Sequence, residues 1–334
     1  MELAGYRKIF KEIIKGWTKT SVNNNLFYIK HLSALDQVDV DEVREDYYQQ
    51  ALKRGIPTEE EVLKELDAEG QWTRKDESQI NQLERFIEQL QKNKTALVLK
   101  SDIDRQNQSI QETRQKISHL KEKRSALLGV NAESYADKRS NDYYIIKSFF
   151  HDEDLKNPLF PEEKDYGDLY AEEVQEFVLS YNNTFLSFEE LKIQEMILQD
   201  FYYIYFPFSE DTVGFFGKPV CELTYNQLKL IVYTKIFKNI FETNKHIPEK
   251  IKKDPQALLD YGSISEDAKE KMKNKLDKDQ DGATLFGATD EDYEYAGLDK
   301  PSEKSGISIQ KAAELKGGSL SMQDLMELSG IPKK

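Results

Sequence analysis

Three aspartates at alternate positions, Asp277, Asp279 and Asp281, precede a glycine, as in the first half of an EF-hand calcium loop. A complete loop also has an apolar residue at position 8 and a bidentate glutamate at position 12. In this chain those two positions hold Thr284 and Ala288. The missing glutamate removes two oxygen ligands and one negative charge. The pattern therefore favours an acidic linker, with a degenerate calcium loop as the alternative.

Calcium titration distinguishes the acidic linker from the degenerate calcium loop. Isothermal titration with calcium at micromolar concentrations is expected to give no heat, because Ala288 supplies no ligand to the ion. Heat of binding in that range would contradict the acidic-linker hypothesis and would favour a regulatory, calcium-responsive module.

The remaining reactive residue types form no recognisable catalytic or metal-binding pattern. His31, His119, His151 and His246 lie far apart in the chain, and none is at the spacing of metal ligands. Cys221 has no histidine near it in sequence, which favours a buried, inert thiol over a nucleophile. The sequence contains no nucleophile elbow, phosphate-binding glycine loop or HExxH motif. We therefore expect no catalytic residue, no cofactor and no small-molecule ligand.

Composition narrows the class of partner. The 61 acidic and 47 basic residues give a net charge of −14, which repels nucleic-acid phosphates and anionic lipid head groups. The most apolar run, Phe201–Phe208, is too short to span a bilayer and contains a proline. A single cysteine allows no intrachain disulfide, as in proteins of reducing compartments. These features predict a cytoplasmic protein whose partners are other proteins.

Hydrophobic periodicity predicts a mostly α fold in four regions. Residues 1–70 are expected to form helical pieces, and 73–128 an antiparallel helical hairpin or bent coiled coil. Residues 131–250 carry the densest aromatic material and are expected to form a helical core domain. Residues 251–334 are polar and are expected to be a flexible acidic tail that ends in a short amphipathic helix.

The region 73–128 carries two apolar stripes whose registers do not join. The first consists of Ile80, Leu83, Ile87, Leu90 and Leu97, and the second of Ile103, Ile110 and Ile117. Lys94 occupies a position of the first stripe where another apolar residue is expected. A break near 98–101 and an antiparallel return would bring the two stripes together.

Capping patterns locate several helix starts. Thr58 with Glu61, and Thr224 with Gln227, have the spacing of capping boxes, and Asn131 is a suitable cap for a helix reaching about residue 150. Another helix is expected at about 188–205. The glycines and prolines of 207–219 predict a loop there.

The C-terminal piece Gly317–Pro332 is a candidate docking element. Met322, Leu325 and Leu328 would form the apolar anchors of a short helix that inserts into a partner's groove. It follows a segment, 277–299, that holds eight acidic residues and one lysine, a suitable tether. The alternatives are that it folds back on its own domain or is a disordered tail.

The middle of the chain resembles tail or baseplate assembly proteins of contractile-tailed bacteriophages. The resemblance is carried by Phe201-Tyr-Tyr-Ile-Tyr-Phe-Pro-Phe, Gly217-Lys-Pro and Leu223-Thr-Tyr-Asn-Gln-Leu, with the acidic tail and its amphipathic end. It implies a virion component, or a chaperone that delivers one, in the host cytoplasm or in the virion. We expect a non-enzymatic structural or assembly protein; the calcium-responsive binding module is the alternative.

Overall fold

The computed structural model describes residues 2–97, 99–161, 169–244 and 247–264. The elements are α1 (Leu3–Lys15), β1 (Trp17–Val22), β2 (Asn25–Lys30), α2 (Ala34–Lys53), α3 (Glu59–Ala68), α4 (Arg74–Lys94), α5 (Lys100–Leu128), α6 (Ala132–Lys147), β3 (Phe149–Phe150), α7 (Ala171–Phe185), α8 (Glu190–Ile197), α9 (Thr212–Phe216), α10 (Tyr225–Thr243), α11 (Glu249–Lys252) and α12 (Pro255–Ser263). Three 3₁₀ segments lie at Leu186–Phe188, Asp200–Glu210 and Val220–Glu222. The mostly α expectation is confirmed.

The chain divides into two compact units. The first contains the described residues of 1–74 and 123–242, and the second those of 75–122 and 243–264. The predicted tail beyond 264 lies outside the described residues, and the four sequence regions remain a prediction as domains.

The first unit contains an antiparallel three-stranded sheet in the order β1-β2-β3. β1 and β2 form a hairpin around Asn23 and Asn24, whose φ angles of 52° and 63° are those of a type I′ turn. Asparagine tolerates this left-handed backbone better than most residues. The expectation of purely helical pieces in 1–70 is therefore corrected, because this stretch also holds two six-residue strands.

One face of the sheet packs under α7. Its core consists of Val22, Phe27, Ile29, Ile145, Ile146, Phe149, Phe160 and Phe177. Phe177 of α7 meets Phe149 edge to face with the ring centroids 5.0 Å apart. These aromatic contacts hold α7 over the hairpin.

In the first unit, α10 is hydrogen-bonded to the C-terminal end of α1, the helix that precedes β1. Gln227, which is fully buried, donates from Nε2 to the carbonyls of Ile13 and Ile14 at 2.9 and 3.1 Å. These carbonyls belong to the last turn of α1, where no i+4 N–H of the helix is available, and the Ile13 carbonyl also accepts from the capping N–H of Gly16 at 3.2 Å. Gly16 ends α1 with φ of 75°, and a Cβ there would lie 3.5 Å from Thr224. The end of α1 is thus held against the start of α10 by hydrogen bonds and close packing.

The three predicted caps are confirmed. Thr58 accepts from the Glu61 backbone N–H, and Glu61 accepts in return from the Thr58 N–H. Asn131 accepts from Ser134 N–H at 2.8 Å and starts α6. The third pair, at the start of α10, makes both reciprocal bonds at 3.0 and 3.2 Å.

The helix expected at 188–205 is wrong in its extent. The α-helix covers only Glu190–Ile197, and the aromatic run Asp200–Glu210 is a 3₁₀ segment. Pro207 lacks the N–H that an α-helix would use at that point. The loop expected at 207–219 contains the short helix Thr212–Phe216, started by Asp211, which accepts from Gly214 N–H.

In the second unit, α4 and α5 lie antiparallel. Glu84 pairs with Lys121 at 2.7 Å, whereas further along α4 the Leu90 carbonyl accepts from Gln106 Nε2 at 3.0 Å. The stretch between the helices is 95–99, close to the predicted break. Ile103, Ile110 and Ile117 are buried as their spacing predicts. Packing as a true coiled coil stays a prediction.

A buried ion pair joins α4 to α12 within the second unit. Lys94 Nζ lies 2.5 Å from Asp260 Oδ1, with 15% and 7% of the two side chains exposed. Asp260 also accepts from Asn107 at 2.8 Å and Gln256 at 2.9 Å, and Lys94 donates to Asn107 at 3.0 Å. The lysine that interrupts the apolar stripe of α4 is therefore fully paired.

Candidate interaction surfaces

A groove runs beside β1 in the first unit. Its volume is about 540 Å³, and it is lined by Lys8 and Glu12 of α1, residues 18–23 of the hairpin, and residues of the α7 region. The α7 wall consists of Glu176, Leu179, Ser180, Asn183, Thr184 and the following Ser187. No residue of β2 lines the groove, so it follows the edge of β1 that β2 leaves free. We call it the β1 groove.

The backbone register identifies the free groups at this edge. The N–H of His31 donates to the carbonyl of Gly16 at 2.9 Å, so the hydrogen-bonded pairs of the hairpin are 16/31, 18/29, 20/27 and 22/25. The backbone groups of Lys19 and Ser21 consequently point away from β2. No residue in the described part of the chain makes a hydrogen bond to these backbone groups.

A buried polar pair lies beneath the groove. Thr18 Oγ1 is 2.8 Å from Nε2 of His31, and the imidazole is 1% exposed, packed edge to face against Phe185 and Phe188. Among the described residues nothing hydrogen-bonds Nδ1. Burial, with a smaller contribution from the positive charge of Lys218, lowers the pKa of His31 to about 3. The imidazole is thus neutral at physiological pH.

This threonine–histidine pair lacks the features of a nucleophile–base pair. A general base works best with a pKa near the operating pH, and His31 is far below it. No carboxylate among the described residues orients the imidazole through Nδ1. Its geometry is that of a core histidine.

Glu12 supplies a buried carboxylate at the groove. Burial raises its pKa above the usual range, and Lys8, 3.8 Å away, acts in the opposite direction. With Lys8 and Glu176 also at the groove, charges of both signs are present, and the rest of the lining is mainly hydroxyl and amide. The groove can therefore donate and accept hydrogen bonds without favouring one ligand charge.

A second surface lies on α10. Its buried face includes Leu230, Thr234 and Phe237, yet the opposite face carries Tyr225, Val232 and Ile236, which are 39%, 52% and 37% exposed. At 1.5 Å per residue these three span about 16 Å along one side of the helix. We call them the α10 stripe.

Large apolar side chains are also exposed on the 3₁₀ segment Asp200–Glu210, which packs against α10. Ile204 is 67% and Phe208 59% exposed, while Phe206 of the same segment stacks on Phe241. Exposed apolar side chains therefore occur both on α10 and on the 3₁₀ segment that packs against it.

Only some of the residues singled out in the sequence lie in the part of the chain that the structure describes. Asp277, Asp279 and Asp281, and the anchors Met322, Leu325 and Leu328, all lie outside the described residues. Cys221 is exposed, which corrects the expectation of a buried thiol; it lies on the short 3₁₀ turn after Pro219 at the protein surface. Neither the β1 groove nor the α10 stripe was expected from the sequence.

Two negative findings apply to the described residues. They contain no group of three or more histidine, cysteine, aspartate or glutamate side chains that could hold a metal ion. None of their helices is both long and apolar enough to cross a membrane.

Signals for both surfaces are nevertheless present in the sequence. Thr-Lys-Thr-Ser-Val and Leu-Phe-Tyr-Ile-Lys flank Asn23-Asn24 with strand-like composition. In Tyr225–Thr243, Val232 and Ile236 lie on the helix face opposite Leu230 and Phe237, so large apolar residues occur on both faces of this helix. Comparisons of the chain with protein-family models, curated proteins and solved structures found no match.

Proposed function

We propose that this chain is a non-enzymatic structural or assembly protein that acts through contacts with other proteins. The α10 stripe is the observation that carries the proposal. A helix with large apolar side chains on both faces is normally covered on both, whereas the described residues cover only one face of α10 and leave Tyr225, Val232 and Ile236 exposed. Exposed apolar surface of this kind is typical of protein–protein interfaces.

A finer proposal concerns the assembly itself. The resemblance of Phe201–Phe208 and its neighbours to phage tail or baseplate assembly proteins supports a chaperone-like role in building a contractile tail. The host cytoplasm, or the virion, would then be the place of action. The negative charge of the chain agrees with protein partners in preference to nucleic acid or membrane.

The double variant Val232→Gln/Ile236→Gln tests the α10 stripe. Both positions are exposed, so the variant is expected to fold like the wild type while losing apolar contact area. Proteins that copurify with the full-length chain from its native source are expected to be depleted at least about tenfold, since each 1.4 kcal/mol of lost binding is a factor of ten. Quantitative mass spectrometry of the purified complexes measures the change.

Lys229→Gln/Lys235→Gln is the matched control, because both lysines are exposed on the same helix. It is expected to retain the partners. A third chain, truncated after Lys300, removes Met322, Leu325 and Leu328 and tests the predicted docking tail separately. Equal recovery of every partner by the stripe variant and the wild type would contradict the proposal, whatever the truncated chain does.

A further inference from the structure

We propose that the free edge of β1 binds an extended strand from a partner protein, which adds a fourth strand to the sheet. The inference deepens the proposed function by naming the kind of partner segment. It concerns a different surface from the α10 stripe, so the two can fail independently.

The backbone geometry specifies an extended chain. The outward N–H and C=O groups of Lys19 and Ser21 repeat every second residue, about 6.8 Å apart. Only another extended backbone presents complementary acceptors and donors at that repeat. Strand addition of this type obtains its affinity from main-chain hydrogen bonds and its specificity from alternate side chains.

The space beside the edge has the required form. The β1 groove runs along residues 18–23 and is closed on its far side by α7. The six residues of β1 extend for roughly 20 Å at the usual rise of a strand, which accommodates five or six residues of a partner. At the hairpin end, Asn23 donates a hydrogen bond to Glu176 of α7 and marks one end of the groove.

The walls select the chemistry of the bound strand. Ser180, Asn183, Thr184 and Ser187 face the groove from the α7 side, and Leu179 is the apolar member of that wall. Every second side chain of an added strand would meet these short polar groups. Small polar residues such as threonine or serine at alternate positions therefore fit best, and the charges of Lys8 and Glu12 offset one another.

Proteins often protect an exposed edge strand against unwanted pairing with another strand, in many cases by a lysine side chain. Lys19 lies on this edge, but its side chain is on the sheet face opposite Thr18, Thr20 and Phe27. The Lys19 side chain therefore does not cover the side of the edge that faces α7. The experiment below must therefore distinguish an edge that binds an added strand from an edge that binds nothing.

The test uses a capped peptide, Lys-Thr-Val-Thr-Val-Thr-Lys, titrated into the full-length protein at concentrations up to about 1 mM. Hydrogen exchange measured by NMR is the readout. The amides of Lys19 and Ser21 are expected to exchange quickly in the free protein and at least tenfold more slowly at saturation. The amides of Thr20 and Val22, already bonded to β2, are expected to change little.

Two controls isolate the backbone contact. A peptide of the same sequence, N-methylated at alternate residues, keeps its side chains but lacks the donors, and is expected not to protect the edge. Lys19→Pro removes one outward N–H without breaking the ladder to β2, as proline is tolerated at a strand edge. It is expected to weaken peptide binding at least tenfold, whereas Lys19→Ala, which retains the N–H, is expected to bind normally.

Absence of protection at 1 mM peptide would overturn the proposal, and so would equal binding of the N-methylated peptide. These readouts do not depend on the proline variant folding. Sedimentation of the free protein gives a further outcome: a dimer that the peptide dissociates would assign the edge to a second copy of this chain and would overturn the partner strand.

Discussion

Replacing Asp260 by alanine is expected to lower the free energy of unfolding by roughly 3–5 kcal/mol, the range measured when one member of a buried ion pair is removed. Lys94 would remain 15% exposed with its charge uncompensated, and Asn107 and Gln256 would each lose an acceptor. Urea denaturation, followed by circular dichroism, measures the change. A loss of this size is a large part of the stability of an ordinary domain.

The double variant Lys94→Met/Asp260→Leu separates a buried charge from a lost contact. It removes both charges and leaves apolar side chains of comparable volume, so it is expected to recover at least half of the stability lost in Asp260→Ala. Glu60→Ala provides the exposed comparison, because Glu60 and Lys64 pair at 2.7 Å with 78% and 70% of their side chains exposed. Its effect is expected to be barely measurable. Equal effects of Asp260→Ala and Glu60→Ala would show that the ion pair does not stabilise the second unit.

This ion pair shows where prediction from sequence ends. Lys94 is conspicuous in the sequence because it interrupts an apolar stripe, which indicates a partner or a break. Its partner lies 166 residues further along, in a stretch whose polar composition predicts a tail. No local pattern connects the two, because the pairing depends on how α12 reaches α4.

Local signals, in contrast, predict structure well. The caps at Thr58, Asn131 and Thr224 rest on residues three positions apart, so the chain within one turn determines them. The same holds for the antiparallel return between α4 and α5, which follows from two stripes out of register. Buried isoleucines at seven-residue steps confirm that reading for α5.

The β1–β2 hairpin was missed for a physical reason. The helical period of Tyr6, Ile9, Ile13 and Trp17 runs to the first residue of β1, which extends a helical reading into the strand. The strand pattern itself is weak, since polar Thr18 and Thr20 occupy core-facing positions. Those two hydroxyls are satisfied only in the folded unit, by His31 and by Ser180 of α7. Polar residues on the buried face therefore conceal the strand from a hydrophobicity pattern.

The candidate surfaces have a similar dependence on tertiary structure. The sequence predicts that the aromatic run Phe201–Phe208 packs in a core. This prediction is correct for Tyr202, which is fully buried, and wrong for Phe208, which is exposed. Within this 3₁₀ segment Tyr202 and Ser209 are buried, whereas Ile204 and Phe208 are exposed. Which apolar residues remain exposed could be learned only from the packing of that segment on α10.

Acidification provides the last test, at the buried imidazole of His31. Its pKa is near 6.5 in an unfolded chain and about 3 in the folded protein, because burial disfavours the charged form. Below pH 6.5 the unfolded state binds a proton that the folded state does not, so the stability from this residue is complete above pH 6.5 and falls toward pH 3. At 1.36 kcal/mol per pH unit below pH 6.5, the loss between pH 7.5 and 4.5 is about 2.7 kcal/mol.

His31→Gln isolates this contribution, because glutamine can place a polar atom near Thr18 and does not titrate. The variant is expected to be less stable than the wild type at pH 7.5, having lost packing against Phe185 and Phe188. Between pH 7.5 and 4.5 that difference is expected to shrink by about 2.7 kcal/mol, since only the wild type protonates on unfolding. Urea denaturation at intervals of half a pH unit measures both curves.

Other titrating groups affect both proteins alike and cancel in the difference. Glu12, whose pKa is raised by burial, and Asp36, whose pKa is lowered by its bonds to Lys30 and Ser33 against the effect of burial, contribute in opposite directions. Parallel stability curves for the wild type and His31→Gln would show that the imidazole takes up a proton inside the fold. In that case the floor of the β1 groove would carry a positive charge in acid, and the groove would favour an acidic strand at low pH.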